Sequence, residues 1–437
     1  MNNRIKIIII LFALCTAVSA ELSSQDFWLR VPSPTNRILT KCWFVDSVYG
    51  WVAGDSGTII NTTNSGASWS VQNSGILNYN IDDVFFLNRR LGWALSNDYF
   101  FNGTFVLKTT NGGLNWSMSN FPDTTVIVSS ILFTDSLKGY ATGFSGKIFR
   151  TTNGGGNWDL CIIDTAGCPL LYGFPKHRLN FINSTTGYAC GGQYDMIGAV
   201  WRTTNSGVSW NAYCITPEPL FDVKIINSTK IIASGGDFDF GAITSTTWNN
   251  GGDWTYNNIG YGGIGRDLAF RTEKEIWMPL AFAQSWAVHL DSGNINIPWI
   301  GVPAPDSTAV YAAVFKSPTF GFAFGSYGAI MRYNTAVIGL TPGSSSIPGD
   351  YSLGQNYPNP FNPTTNIVYK LAKSENVVIT LYDLLGKQVK VFVEGVRPAG
   401  FNRFRFINSG SGLASGVYIY KIEAGTFVES KKMVIVK

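Results

Sequence analysis

A short phrase returns along this chain at nearly even intervals, and a chain written that way folds as copies of one small unit. It reads Thr62-Thr63-Asn64-Ser65-Gly66 with Trp69 closing it, recurs from Thr109 to Trp116, Thr151 to Trp158 and Thr203 to Trp210, and returns blurred from Thr246 to Trp254. The tryptophans are 47, 42, 52 and 44 residues apart, a period that fits a four-stranded propeller blade. A second landmark, glycine followed by an aromatic residue, extends the count. It stands at Gly50-Trp51, Gly92-Trp93, Gly139-Tyr140, Gly187-Tyr188 and Gly321-Phe322, with weaker equivalents at Lys230-Ile231 and Glu275-Ile276-Trp277. Short alternating strands joined by Gly, Asn and Ser turns predict antiparallel blades, so the chain reads as all-β with a seven-bladed β-propeller.

The two ends of the repeat array complement each other. The seventh unit stops at Ile330-Met331-Arg332-Tyr333 without a closing tryptophan strand, whereas Phe27-Trp28-Leu29-Arg30 resembles an orphan closing strand. The N-terminal strand is therefore expected to complete the last blade and leave no open sheet edge there. Within each turn, Asn-Gly and Gly-Gly supply the positive φ of a tight hairpin, and the tryptophan after it buries a large face between neighbouring blades.

Ahead of the repeats, Arg4 and Lys6 precede an apolar run that ends at Val18-Ser19-Ala20, the pattern of a signal peptide over residues 1–20. No later segment is long and apolar enough to be a transmembrane helix. Without those residues the chain has 30 basic against 28 acidic residues, a balance that argues against nucleic acid or an anionic membrane as partner. Five cysteines remain: Cys42, Cys161, Cys168, Cys190 and Cys214. Cys161 and Cys168 bracket a short loop and are the expected disulfide. With two histidines and no CxxC, no metal site and no cofactor are expected.

After a Gly/Ser/Pro linker over residues 339–350 the repeats cease. Residues 351–437 carry Asn356-Tyr357-Pro358-Asn359-Pro360-Phe361-Asn362-Pro363, then Ile379 to Gly386, Leu413 to Tyr420 and Lys431 to Lys437. Alternating apolar residues in those runs predict a small antiparallel, Ig-like β-sandwich. The four blocks, in this order, resemble the C-terminal sorting domain of type IX secretion substrates of Bacteroidota and relatives. That resemblance implies export across the outer membrane by the type IX machinery, acting through residues 351–437, to an extracellular or cell-surface location. The repeats over residues 21–338 resemble the Asp-box turn of sialidases, with Asn where that family has Asp. Gly50-Trp51-Val52-Ala53-Gly54-Asp55-Ser56-Gly57-Thr58-Ile59 is similar to the repeats of photosystem II assembly and stability factors.

A residue needed in every blade serves the blade, so function is sought where the repeats differ. Loops longer than the repeat requires lie on the face opposite the Asn-Gly turns, and they interleave carboxylates with aromatics. Asp98, Tyr99, Tyr194, Asp195, Asp237, Phe238 and Asp239 are the candidate ligand-binding residues, and rings beside acids suit an extracellular glycan. Two other readings stand beside it. One is a glycoside hydrolase using Asp195 with Asp237 or Asp239. The other is a surface-protein docking scaffold using Lys108, Arg150 and Arg202, which precede the turns, with Arg332. No catalytic residue is assigned. Deleting residues 351–437 is expected to abolish appearance of the protein in the medium and at the cell surface, as read by immunoblotting of cell fractions, while the propeller accumulates inside the cell.

Overall fold

The computed structural model describes residues 27–98, 103–169, 173–295, 297–336, 351–354, 356, 359–397, 400–408 and 412–436. The expected signal peptide and linker lie outside them. Seven sheets, antiparallel but for one added edge strand in the fourth, follow one another between Trp28 and Tyr333. The first is a meander of Leu39–Phe44, Gly50–Gly54, Ile59–Thr62 and Ser70–Gln72. Later inner strands begin at Ile81, Val128, Lys176, Leu220, Ile264 and Val310. The inner strand of the first sheet also packs against that of the seventh, so the array closes as a β-propeller. Among the described residues no helix is long and apolar enough to cross a membrane.

Closure follows the expected route. Trp28–Val31 pairs antiparallel with Ile330–Tyr333, Trp28 opposite Tyr333 and Val31 opposite Ile330. Trp28 is buried, stacked on Trp286 at 4.9 Å between ring centroids and edge-on to Trp277 and Tyr333 at 5.6 and 5.5 Å. One side chain thus locks the two ends of the ring together.

The repeated residues explain how one blade grips the next. Each landmark glycine lies where a Cβ would collide with the inner-strand phenylalanine of its own sheet, Gly50 against Phe44 and Gly92 against Phe86. The aromatic that follows stacks on the phenylalanine of the next sheet: Trp51 on Phe86 at 3.5 Å, Trp93 on Phe133 at 3.6 Å, Tyr140 on Phe181 at 4.2 Å. The turn tryptophan meets that same phenylalanine edge-on, as Trp116 does Phe86 and Trp210 does Phe181, both at 5.8 Å. Three rings therefore close each of these blade interfaces, an arrangement favoured by ring quadrupoles as well as by buried area.

The turn itself is a hydrogen-bonded cage. The Thr62 hydroxyl accepts from the N–H groups of Asn64 and Gly66 at 3.3 and 2.9 Å, and Asn64 Oδ1 accepts from Ser68 N–H at 3.0 Å. The same bonds recur from Thr109, Thr151, Thr203 and Thr247. A sixth copy hides in His289-Leu290-Asp291-Ser292-Gly293. There His289 Nδ1 takes the place of the threonine oxygen and accepts from Asp291 and Gly293 N–H, each at 3.0 Å. Nε2 lies 3.1 Å from the carbonyls of Asn294 and Ile297, which fixes the neutral tautomer with its proton on Nε2.

The axis of the ring is charged. Lys41, Asp83, Ser130, Arg178, Asp222, Asp267 and Ala312 occupy one equivalent inner-strand position, and six of the seven sheets have a register irregularity beside it. Arg178 pairs with Asp83 at 2.9 Å and Asp222 at 3.5 Å, and Lys224 with Asp222 at 3.4 Å and Asp267 at 3.2 Å. Each of these aspartates also accepts from a backbone N–H of the following blade, Ile131, Leu268 and Ala313 in turn.

One expectation is corrected. The disulfide joins Cys168 to Cys214, with Cα atoms 5.4 Å apart, and Cys161 is a free, buried thiol. The reason is a strand crossover: Ile162–Asp164 leaves the third sheet and pairs parallel with Ser209–Thr216 of the fourth. This carries Cys168 beside Cys214, while Cys161 stays packed near Trp210 and Tyr140.

Residues 351–436 form two facing sheets around Leu353, Phe361, Ile379, Phe406, Tyr420 and Met433. Phe361, at the centre of the Asn-Pro block, donates its N–H to Val434 O, and Val436 N–H donates back to Phe361 O. The block thus ties the start of this unit to its last strand.

Trp28→Ala is expected to cost about 3–5 kcal/mol, read as a lower midpoint of denaturant unfolding. Burial holds the His289 imidazole below its usual value of 6.5. The fold keeps the neutral ring, so this stabilisation is complete above that value and fades as pH falls below it. His289→Thr should flatten the loss of stability between about pH 7 and pH 5, a comparison in which the unchanged His177 cancels.

Candidate functional site

The Asn-Gly turns and the turns between first and second strands share one face, as the Ser65 N–H to Val48 O bond shows. The turns between second and third strands gather on the other, around the mouth of the axial channel. There a cavity of about 380 Å³ is bounded by Thr40, Lys41, Asp82, His177, Phe221 and Arg266, among others. Lys41 of the charged belt lines it, and Asp82, His177, Phe221 and Arg266 each precede a belt residue in sequence. A second hollow, of about 420 Å³, opens on the opposite face beside Trp43, Phe85, Leu132 and Asn180.

An arc of rings lines the first mouth. Phe144 meets His177 at 5.7 Å, His177 meets Phe221 at 4.7 Å, and Tyr194 meets Phe221 at 5.8 Å. The Arg266 guanidinium lies 5.1 Å from the Phe221 ring and 5.8 Å from Phe282, and Phe282 meets Phe238 at 5.2 Å. Phe144, Tyr194, Phe238 and Phe282 are all exposed, an unusual cost for a surface unless something covers it. Opposite the arc stand Asp55, Asn80 and Asp82. Burial, then the charges of Arg266 and Lys41, push the His177 imidazole down to about 3, so it meets a ligand as a neutral ring. Burial likewise raises the Asp55 carboxyl, opposed by Arg37.

The candidate residues divide. Tyr194 and Phe238 stand in the aromatic arc. Asp195, at φ 58° in the turn of the fourth blade, and Asp237, at the end of Ile231–Asp237, are brought together with Glu218, which the sequence did not single out. One carboxylate oxygen from each lies within 4.8 Å of the others. Burial and the Asp237 carboxylate push Glu218 up to about 7. Asp239 is exposed beside Phe238. Asp98 is buried and accepts from Tyr79 OH at 3.0 Å; it faces the protein because it ends a fully buried strand, Gly92–Asp98. Tyr99 lies outside the described residues.

Two of the basic positions before the turns are engaged within the propeller, Lys108 with the next blade and Arg202 with its own cross-strand neighbour. Lys108 Nζ donates to Gly154 O at 3.0 Å and sits 5.6 Å from the Trp93 ring, and Arg202 Nε donates to Tyr188 OH at 3.1 Å.

With the two units described, comparison with known proteins places each. Residues 355–436 match the family model of the secretion system C-terminal sorting domain. The tail is a type IX sorting domain. The chain bearing this sorting domain is therefore exported across the outer membrane, to the cell surface or the extracellular space. Ahead of the sorting domain, residues 20–170 match the model of the photosynthesis system II assembly factor YCF48. Among solved structures the propeller is similar to YCF48 bound to D1 peptide, at 21% identity and TM-score 0.56 over 71% of this chain and 98% of that one. It is similar to YCF48 from Cyanidioschyzon merolae at 19% and 0.57, over 71% and 99%. The GH74 xyloglucanase from Xanthomonas campestris aligns at 13% and 0.56, over 70% of this chain and 53% of its own. At these identities the likeness establishes the fold. No curated protein sequence matches the chain.

Proposed function

We propose that this chain is an exported, non-catalytic binding protein in which the seven sheets are the blades of a seven-bladed propeller, residues 21–338, carried by the sorting domain at 351–437. Its ligand is an extracellular glycan held on the funnel face. The observation that carries this reading is an arc of exposed rings: Phe144 and Tyr194 line one cavity with Asp55, Asn80 and Asp82, and Phe238 and Phe282, reached through Arg266, line a separate hollow of about 380 Å³. Sugars offer apolar ring faces to stack and hydroxyls to bond, and this wall supplies both partners. Arg266, fixed over Phe221, adds a donor for hydroxyls or for the carboxylate of an acidic sugar.

Two features weigh against the other readings. Asp237 is buried and clusters with Asp195 and Glu218, whereas a glycosidase sets its two carboxyl groups facing each other across an accessible bond. Of the cations a docking scaffold would use, Lys108 is engaged by the neighbouring blade and Arg202 by Tyr188 of its own, which leaves Arg150 and the exposed Arg332 to that reading.

The test incubates purified residues 21–437 with a panel of soluble and insoluble polysaccharides, scoring retention and the release of reducing ends. Retention without release is expected, and Tyr194→Ala and Phe282→Ala should each weaken it by about tenfold. Release of reducing ends would make the protein a glycosidase. Neither retention nor release would leave a surface protein as the partner.

A further inference from the structure

Glu218 is a buried carboxyl group that hydrogen-bonds with Asp237 and with the backbone of Asp195 but has no cationic side chain beside it among the described residues. It is 4% exposed, and its Oε2 takes no hydrogen bond among the described residues. It stands in the connection between the fourth and fifth blades, where Thr216 Oγ1 donates to its carbonyl at 2.7 Å. A Cβ at Gly198 would collide with that same carbonyl, so the backbone beneath Glu218 is held closely against the strand Ile197–Thr203. Asp237, also 4% exposed, and Asp195, exposed, complete the cluster. None of the three forms an ion pair with lysine or arginine among the described residues. Three carboxylates in so small a space, two of them buried, repel one another unless a cation or a proton intervenes.

The geometry suits a cation. Calcium binds carboxylate oxygens at about 2.3–2.6 Å, so two ligands of one ion stand no more than about 5 Å apart; the observed limit here is 4.8 Å. Oxygen-only ligands select a hard ion, and the exposed side at Asp195 leaves room for the waters that fill the remaining calcium positions. We propose that Asp195, Glu218 and Asp237 bind one calcium ion that joins the tip of the fourth blade to that of the fifth. The site does not depend on what occupies the funnel. Its effect there is mechanical: Asp195 adjoins Tyr194 and Asp237 adjoins Phe238, so the ion fixes two rings of the aromatic arc relative to each other. Sequence spacing gives no sign of the site, because its ligands come from three separate segments rather than one contiguous loop.

The experiment uses residues 21–437, freed of divalent ions with a chelator and titrated with calcium chloride by calorimetry and thermal unfolding. One ion per chain is expected, with Kd on the order of 10⁻⁴ to 10⁻³ M, the range of extracellular modules, and Tm should climb with calcium concentration. Glu218→Gln keeps the shape while removing the buried charge. It should therefore be at least as stable as the parent without calcium and should lose the calcium-dependent rise in Tm. Asp195→Asn, at an exposed turn, should weaken binding at least tenfold, and Asp159→Asn, on an outer strand, should leave it unchanged. Absence of binding heat and of a Tm rise up to about 10 mM calcium, or a full response retained by Glu218→Gln, overturns the proposal.

Discussion

The pair formed by Arg178 with Asp83 and Asp222 is the interaction on which the rest of this structure turns. A guanidinium from the fourth blade reaches carboxylates of the second and the fifth, and Lys224 extends the chain of charge to Asp267 in the sixth. Charges so placed are costly to bury, and removing one partner strands the others. They are tolerated because each aspartate is also held by a backbone N–H of the next blade, which fixes its position whatever the cations do. The outcome is a belt of ion pairs and hydrogen bonds that ties the inner strands of six of the seven sheets to one another around the axis.

Around that belt the blades are joined by aromatic rings, and the turn cages hold those rings in place. The division of labour separates stability from recognition. The face carrying the Thr-Asn-Gly cages is repetitive and hydrogen-bonded, and Lys108 on it is drawn onto the next blade. The opposite face carries the irregular turns, with exposed rings, unmatched acids and a cation over a ring. Variation there costs the fold little, since the ring stacks and cages lie at the other end of each strand.

The fold was legible to the extent that it was repeated. The tryptophan period and the Gly-aromatic landmark located the blades, and the orphan Trp28 located the closing strand because a tryptophan strand was missing at the seventh unit. The sixth turn was not legible, since His289 replaces threonine while performing the same acceptance through a ring nitrogen. Neither was the charged belt: each blade contributes one residue of a different type, and the pattern emerges only when positions nine residues ahead of each landmark are compared, as Asp83 is with Gly92. The Cys161–Cys168 expectation failed because proximity in sequence was trusted over a parallel crossover between sheets. In the loops, Tyr194, Asp195, Asp237 and Phe238 were recognisable as departures from the repeat. Asp98 looked the same on paper and is buried, and Glu218 went unnoticed because its partners lie in two different turns.

The closing strand also dictates an order of events. Trp28 and Tyr333 stand at opposite ends of the propeller sequence, and the contact between them carries the largest loop-closure cost of any pairing in the ring. Six blades can form as the chain emerges, but the seventh sheet keeps an unpaired edge until residues 330–333 meet the first strand. Until then Ile330–Tyr333 is the kind of open edge that recruits other chains, and docking of Trp28–Val31 covers it with a short outer strand anchored by one buried tryptophan.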